Sequence, residues 1–188
     1  MANVNHSTLT DPYLHEPKGV ASASASEVYV ANGSGSGAWK PAHNYINGYI
    51  EFDKVTPAYQ KSVTTVFTPI NPTFAVSLAS GWTGAATPNA RLIYTGTEAI
   101  IASINFSLSL KNNSGTARDV EITFYKNGTV LNGGHLVVTA ASGDWKSATL
   151  TDYGSFNTND YLEVFVKADA AFTLDVATAS LTVMGVPS

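Results

Sequence analysis

The chain has 188 residues, 44% hydrophobic and 13% charged, with 10 Lys and Arg against 14 Asp and Glu for a formal net charge of −4. Globular domains average about 25% charged residues; a chain this apolar and weakly charged is neither disordered nor a coiled coil, and it has no basic excess to offer a nucleic acid. It has no cysteine, which excludes disulfides, thiolate nucleophiles and Cys-ligated zinc, and no apolar run near the roughly 18–20 residues of a membrane helix.

Residues 1–40 read as an extended arm with a linker. The N-terminus is polar from Met1 to Asn5, without a signal-peptide core. Pro12 and Pro17 bracket Tyr13, Leu14, His15 and Glu16, with Lys18 and Gly19 following; each proline fixes its own φ and extends the residue before it, so no regular helix runs through. Ala21–Ser26 alternates Ala and Ser and has no side chains for a core. Glu27-Val28-Tyr29-Val30 alternates like one short strand, Asn32–Gly37 reads as a flexible linker, and Trp39-Lys40-Pro41 closes the segment. Tyr13, Leu14, Val28, Tyr29 and Trp39 are more apolar surface than a free tail needs, which suits an arm that orders on a partner.

From about residue 41 to 188 the pattern is all-β. Short strands are expected at 49–52, 62–67, 74–78 and 90–94. Ile104–Leu110 sets Ile, Phe, Leu and Leu against Asn, Ser and Ser, a half-buried strand. Val120–Tyr125 repeats this, and Lys126-Asn127-Gly128-Thr129 is a hairpin signal, because a type I′ turn needs positive φ twice. Further strands are expected from Val130, at 136–139, at 161–167, at 172–176 and at 179–184. Turn signals fall between: Ser80-Gly81, Thr87-Pro88-Asn89, Asn112–Gly115, Asn132-Gly133-Gly134, Ser142-Gly143 and Asn157–Asp160. A turn every ten or so residues indicates an antiparallel β-sandwich of jelly-roll type. Tyr125 and Phe165, on the outward side of their strands, offer a surface for self-association.

The chemistry-bearing residues form no catalytic pattern. His6, His15, His43 and His135 have no metal-ligand spacing. Asp152 and Asp160, near Tyr153 and Phe156, have the makings of a carboxylate pair, but acids in such segments are ordinarily turn residues. Glu163 and Asp175 point outward as solvated or interface charges. No nucleophile elbow, phosphate loop or calcium loop occurs. Trp82 and Trp145 flank turns, where they either stack on a ligand or close the sandwich.

Two segments carry a family resemblance. Leu9-Thr10-Asp11-Pro12-Tyr13-Leu14-His15-Glu16-Pro17-Lys18-Gly19-Val20, with Val28–Gly33 and Gly35–Trp39, resembles the N-terminal arm of tailed-phage head-fibre or capsid-decorating proteins. The shared pattern is a His-Glu-Pro-Lys-Gly peptide, small residues, a Val-Tyr-Val-Ala strand and a Gly-Ser-Gly-x-Trp exit. Arg91–Thr97, Ile104–Leu110 and Val120–Val130 resemble the tumour-necrosis-factor-like jelly roll of trimeric phage fibre and decoration knobs. The resemblance implies a homotrimeric virion protein on the capsid surface, without enzymatic activity, cofactor or metal. Its arm (Pro12, Tyr13, Leu14, His15, Glu16, Pro17, Lys18, Val28, Tyr29 and Trp39) would anchor it to the major capsid protein. The alternative it implies is a receptor-binding tail-fibre module on the same fold, with Trp82, Tyr153 and Phe156 reading a host-surface glycan.

Overall fold

Period-2 alternation puts half of each strand's side chains on one face, and two sheets are needed to bury those faces against each other. The computed structural model describes residues 23–24, 27–31, 37–41, 46–53, 58–72, 75–85 and 91–188, and among these there is no helix. The chain divides into two units, Met1–Asn44 and Tyr45–Ser188.

In the first unit β1 (Glu27–Ala31) and β2 (Gly37–Pro41) pair antiparallel, Tyr29 opposite Trp39. Gly37, expected in a linker, instead opens β2. A Cβ there would lie 2.3 Å from the Val30 carbonyl oxygen and 2.8 Å from the Tyr29 ring, so glycine is what lets that ring lie across the hairpin. The rest of the expected linker, Asn32–Ser36, lies outside the described residues, as do the arm residues Pro12–Lys18.

The second unit contains β3 (Ile46–Asp53), β4 (Tyr59–Val63), β5 (Thr68–Pro69), β6 (Ala75–Ser80), β7 (Trp82–Ala85), β8 (Arg91–Tyr94), β9 (Ile100–Asn112), β10 (Arg118–Lys126), β11 (Thr129–Ala140), β12 (Trp145–Phe156), β13 (Tyr161–Ala168) and β14 (Phe172–Pro187). The front sheet has the order β12-β9-β14-β3-β6, with β4 also on β14; the back sheet has β11-β10-β13-β8-β7, with β5 on β13. Counting β3 and β8–β14 as eight main strands, the first, last, third and sixth lie side by side in front, and the second, seventh, fourth and fifth behind. That is the double Greek key of a jelly roll.

Between the sheets, Ile50, Ile104, Phe106, Leu108, Leu110, Leu181 and Val183 from the front meet Val120, Ile122, Phe124, Leu162, Val164 and Val166 from the back, all buried. Each such side chain contributes about 1.5–3 kcal/mol by leaving water. Trp82 closes one region of this core, its ring 5.2 Å from Tyr94 and 5.0 Å from Phe156. Asn112 is the buried polar residue that shapes the 113–117 loop. Its Nδ2 donates to the carbonyls of Thr116 and Ala140, and its Oδ1 accepts from the Ser114 N–H.

The Asn127-Gly128 turn has the expected form, with φ of 52° and 77°. Four other expectations change. Asn132-Gly133-Gly134 does not end the strand: it lies in a bulge of β11, where the four residues 131–134 stand opposite the single Phe124 between the pairs Thr123–His135 and Tyr125–Val130, and Thr123 Oγ1 donates to the Gly134 carbonyl. The two strands expected at 172–176 and 179–184 are one, β14, joined by a register shift between Val176 and Thr178. The strand expected at 62–67 ends at Val63. A twelve-residue strand, β12, stands where none is expected, because its inward side mixes Asp152 and Gly154 with Ala148, Leu150 and Phe156.

Candidate functional site

The back sheet covers its own outward face. Tyr125 and Phe165 do point outward, but they stack on each other at 3.8 Å with planes 18° apart, and Phe67 packs 6.1 Å from Tyr125. Phe67 also meets the His135 ring at 6.0 Å and lies under Lys167 Nζ at 4.5 Å. The carboxylate of Glu121 ties this group together, accepting from Lys167 Nζ at 2.8 Å and pairing with His135 Nδ1. Burial by itself raises the Glu121 pKa; the bonds from Lys167 and His135 outweigh it and hold the group below its ordinary value. The half-buried Tyr125–Phe165 stack is therefore internal packing and not the free self-association surface expected of it.

Two acids expected to be solvated or interface charges are paired within the chain instead. Glu163 is only 3% exposed and accepts from Arg91 Nη2 at 3.0 Å, while the Arg91 guanidinium lies 4.3 Å over the Tyr161 ring. Asp175 is 7% exposed and accepts from Lys111 and Gln60. Burial raises the Asp175 pKa, but Asn113, Lys111 and Gln60 together lower it below the usual carboxylate value. Asp160 is a loop clamp, accepting from Lys126, Asn127 and the Asn157 N–H. Asp152 accepts from the Tyr153 N–H. Trp82 and Phe156 are core residues and cannot read a glycan; Tyr153 is exposed. His135 is an exposed strand residue paired with Glu121, and His6, His15 and His43 lie outside the described residues. No cluster of three potential metal ligands occurs among the described residues.

The front sheet is different. Register places its outward residues in rows across β3, β14, β9 and β12. At one end Asp175, Lys111 and Trp145 form a row, with Lys111 Nζ 5.2 Å over the Trp145 ring. The next three rows are polar and small: Asp53, Thr178, Ser109 and Ser147; then Glu51, Ser180, Ser107 and Thr149; then Tyr49, Thr182, Asn105 and Thr151. The Tyr49 hydroxyl donates to Glu51 Oε2 at 2.9 Å, which, with burial and the Glu51 charge, raises the phenol's pKa. Small side chains on the two middle strands leave an open groove of about 330 Å³ over the first two of these rows.

Beyond them the face turns apolar. Asn47, Met184, Ser103 and Tyr153 form one row, and Val186, Ile101 and Ser155 the next. Tyr153 is 72% exposed, Ile101 53%, Met184 51% and Val186 50%. No alternation rule finds this band, because it depends on strands 80 residues apart lying in register; outward Ile and Val in the sequence are its one local trace.

In the hairpin unit, Tyr29 and Trp39 meet edge to face at 5.5 Å, while Val28 and Val30 are exposed on the opposite face. Two of the three expected anchor residues described thus hold the hairpin together, and the third, Val28, faces outward.

No protein-family model matches the chain, and no curated protein matches it. Among solved structures it is similar to the Eiger TNF of S. frugiperda, with TM-score 0.49 and 8% identity over 77% of this chain and 92% of that one. It is also similar to the PRD1 vertex protein P5, with TM-score 0.48 and 14% identity over 76% and 97%. Murine APRIL follows with TM-score 0.44 and 11% identity over 73% and 98%.

Proposed function

We propose that this chain is a structural protein of a tailed-phage virion, a homotrimer on the capsid exterior held by its N-terminal arm. The observation that carries self-association is the apolar band of Tyr153, Ile101, Met184 and Val186, four large exposed side chains contiguous on one sheet face. Contiguous exposed apolar surface marks interaction sites, whereas scattered exposed residues do not. A second copy of the chain is the occupant that needs no further partner. A sheet face meeting a different patch of the next copy closes into a ring when the rotation permits, and three is the number the knob's resemblance implies.

The arm reading rests on the Leu9–Val20 resemblance and on composition. Lys18, Lys40 and Lys54 face Asp11, Glu16, Glu27, Glu51 and Asp53 over the first 55 residues, too even a balance for electrostatic docking. Surface ion pairs give about 0–1 kcal/mol, against about 1.5–3 kcal/mol for a buried Tyr or Leu. Tyr13 and Leu14 are then the anchor, and three arms on one trimer convert weak contacts into slow dissociation.

Co-sedimentation of the full chain with purified expanded capsids tests this. Tyr13→Ala or Leu14→Ala is expected to reduce occupancy far more than Lys18→Ala, and binding is expected to survive about 0.5 M salt, where the Debye length is only a few ångströms. Release by moderate salt, or a Lys18 effect above that of Leu14, contradicts the apolar anchor. Failure of the wild type to join capsids contradicts the location.

A further inference from the structure

We propose that Lys61 is a covalent modification site, a nucleophilic amine that condenses with small aliphatic aldehydes. This goes beyond the structural reading above and depends on neither the arm nor self-association. Register fixes where the residue lies. β4 pairs with β14, setting Tyr59 opposite Val176, Lys61 opposite Leu174 and Val63 opposite Phe172. Val63, Leu174 and Val176 are buried, and Tyr59 and Phe172 pack against the core. Directly opposed residues share a face, so Lys61 belongs to the inward side of the front sheet. Gln60 and Asp175, one position along on each strand, bond each other on the outward side.

A lysine in that row is out of pattern. Lys111, Lys126 and Lys167 are held by Asp175, Asp160 and Glu121, and a neighbouring acid favours the ammonium form. Lys146 is exposed to water. Lys61 is half-buried and has no ion-pair or hydrogen-bond partner among the described residues. The titratable neighbour on its face is Tyr59, whose hydroxyl donates to Asn71 Oδ1. Asp175 of β14 is turned outward to Lys111, and Lys167 of β13 is turned outward to Glu121. Burial without a counter-charge lowers the Lys61 pKa, so more of it is free amine than of an ordinary lysine, the route by which desolvation makes a lysine nucleophilic. β4 pairs with β14 alone, and Lys61 Nζ is not among the enclosed polar atoms that lack a bond, so the amine meets water at the sheet's edge. The apolar neighbours suit an alkyl chain better than a polyol. In the reaction a C–N bond forms and the C=O bond breaks. Both hydrogens of the neutral amine leave with the carbonyl oxygen as water, and the proton first shed by the ammonium goes to solvent.

The test uses the full chain. Propanal is added with cyanoborohydride, whose hydride reduces the imine to a stable propyl amine, and the labelling rate of each lysine is read by peptide mass spectrometry. Glyceraldehyde, the same carbon skeleton bearing hydroxyls, is the second probe. At about pH 7.5 propanal is expected to label Lys61 about fivefold or more faster than Lys146, and faster still than the acid-paired Lys111, Lys126 and Lys167. The ratio to Lys146 is expected to shrink towards about pH 10.5, where ordinary lysines also lose their protons. With glyceraldehyde at about pH 7.5 it is expected to be smaller than with propanal. Lys61 labelled no faster than Lys146 overturns the proposal. So does a ratio that pH leaves unchanged, which makes the difference one of access alone. A ratio as large or larger with glyceraldehyde overturns the aliphatic class.

Discussion

The two outward faces of the sandwich answer the same problem in opposite ways. Each sheet carries large side chains on its solvent side. On the back sheet a crossing segment brings Phe67 over Tyr125, His135 and Lys167, and Glu121 pairs with two of the surrounding groups. On the front sheet Tyr153, Ile101, Met184 and Val186 have half or more of their surface bare. The lesson is that an outward aromatic in the sequence is a poor guide to an interface. What matters is whether another part of the same chain reaches it first.

The largest expected effect breaks that contrast at the front face. Ile101→Glu with Met184→Glu places carboxylates on the surface proposed for self-association, and an unpaired charge in a desolvated contact is costly. The association constant is expected to fall more than a hundredfold, read by sedimentation, with circular dichroism unchanged. A trimer that persists would transfer self-association to another surface.

A smaller effect is expected from Phe165→Ala on the back face. A buried Phe→Ala change costs about 3–5 kcal/mol; for this half-buried ring about 2–3 kcal/mol is expected, measured by urea unfolding, with no change in oligomeric mass. A fall in oligomeric mass with this variant would restore Tyr125 and Phe165 as interface residues.

The smallest effect sharpens the electrostatic side. Glu121 and Asp175 both have folded-state pKa values below their ordinary ones. Their stabilisation is thus complete above the unfolded-state values of about 3.9–4.3 and is lost as pH falls through the lower folded values. Asp175→Asn combined with Glu121→Gln is expected to flatten the loss of stability between about pH 5 and 2, followed by unfolding midpoints at each pH. An unchanged slope would show that other carboxylates govern acid unfolding.

Much of the architecture is legible locally. Ile104–Leu110 and Val120–Tyr125 reveal their strands because each has one buried face, and Asn127-Gly128 reveals its turn because two positive φ angles need those residue types. β12 is obscure for the converse reason: Asp152 and Gly154 occupy its inward side, so its alternation is lost in composition. Asn132-Gly133-Gly134 reads as a turn because glycine pairs usually are one, and only the resumed pairing with β10 on both sides shows it to be a bulge within β11.

What the sequence determined by itself is therefore whatever depends on neighbours a few residues apart: the all-β class, the jelly-roll expectation and the absence of disulfides. Tertiary structure alone decided which outward residues are spent inside the molecule. Phe67 reaches Tyr125 across 58 positions, Lys111 reaches Asp175 across 64, and Ile101 lies beside Val186 across 85. Contacts of that span are set by strand order and register, which emerge only when two sheets bury their faces together, and no local period encodes them.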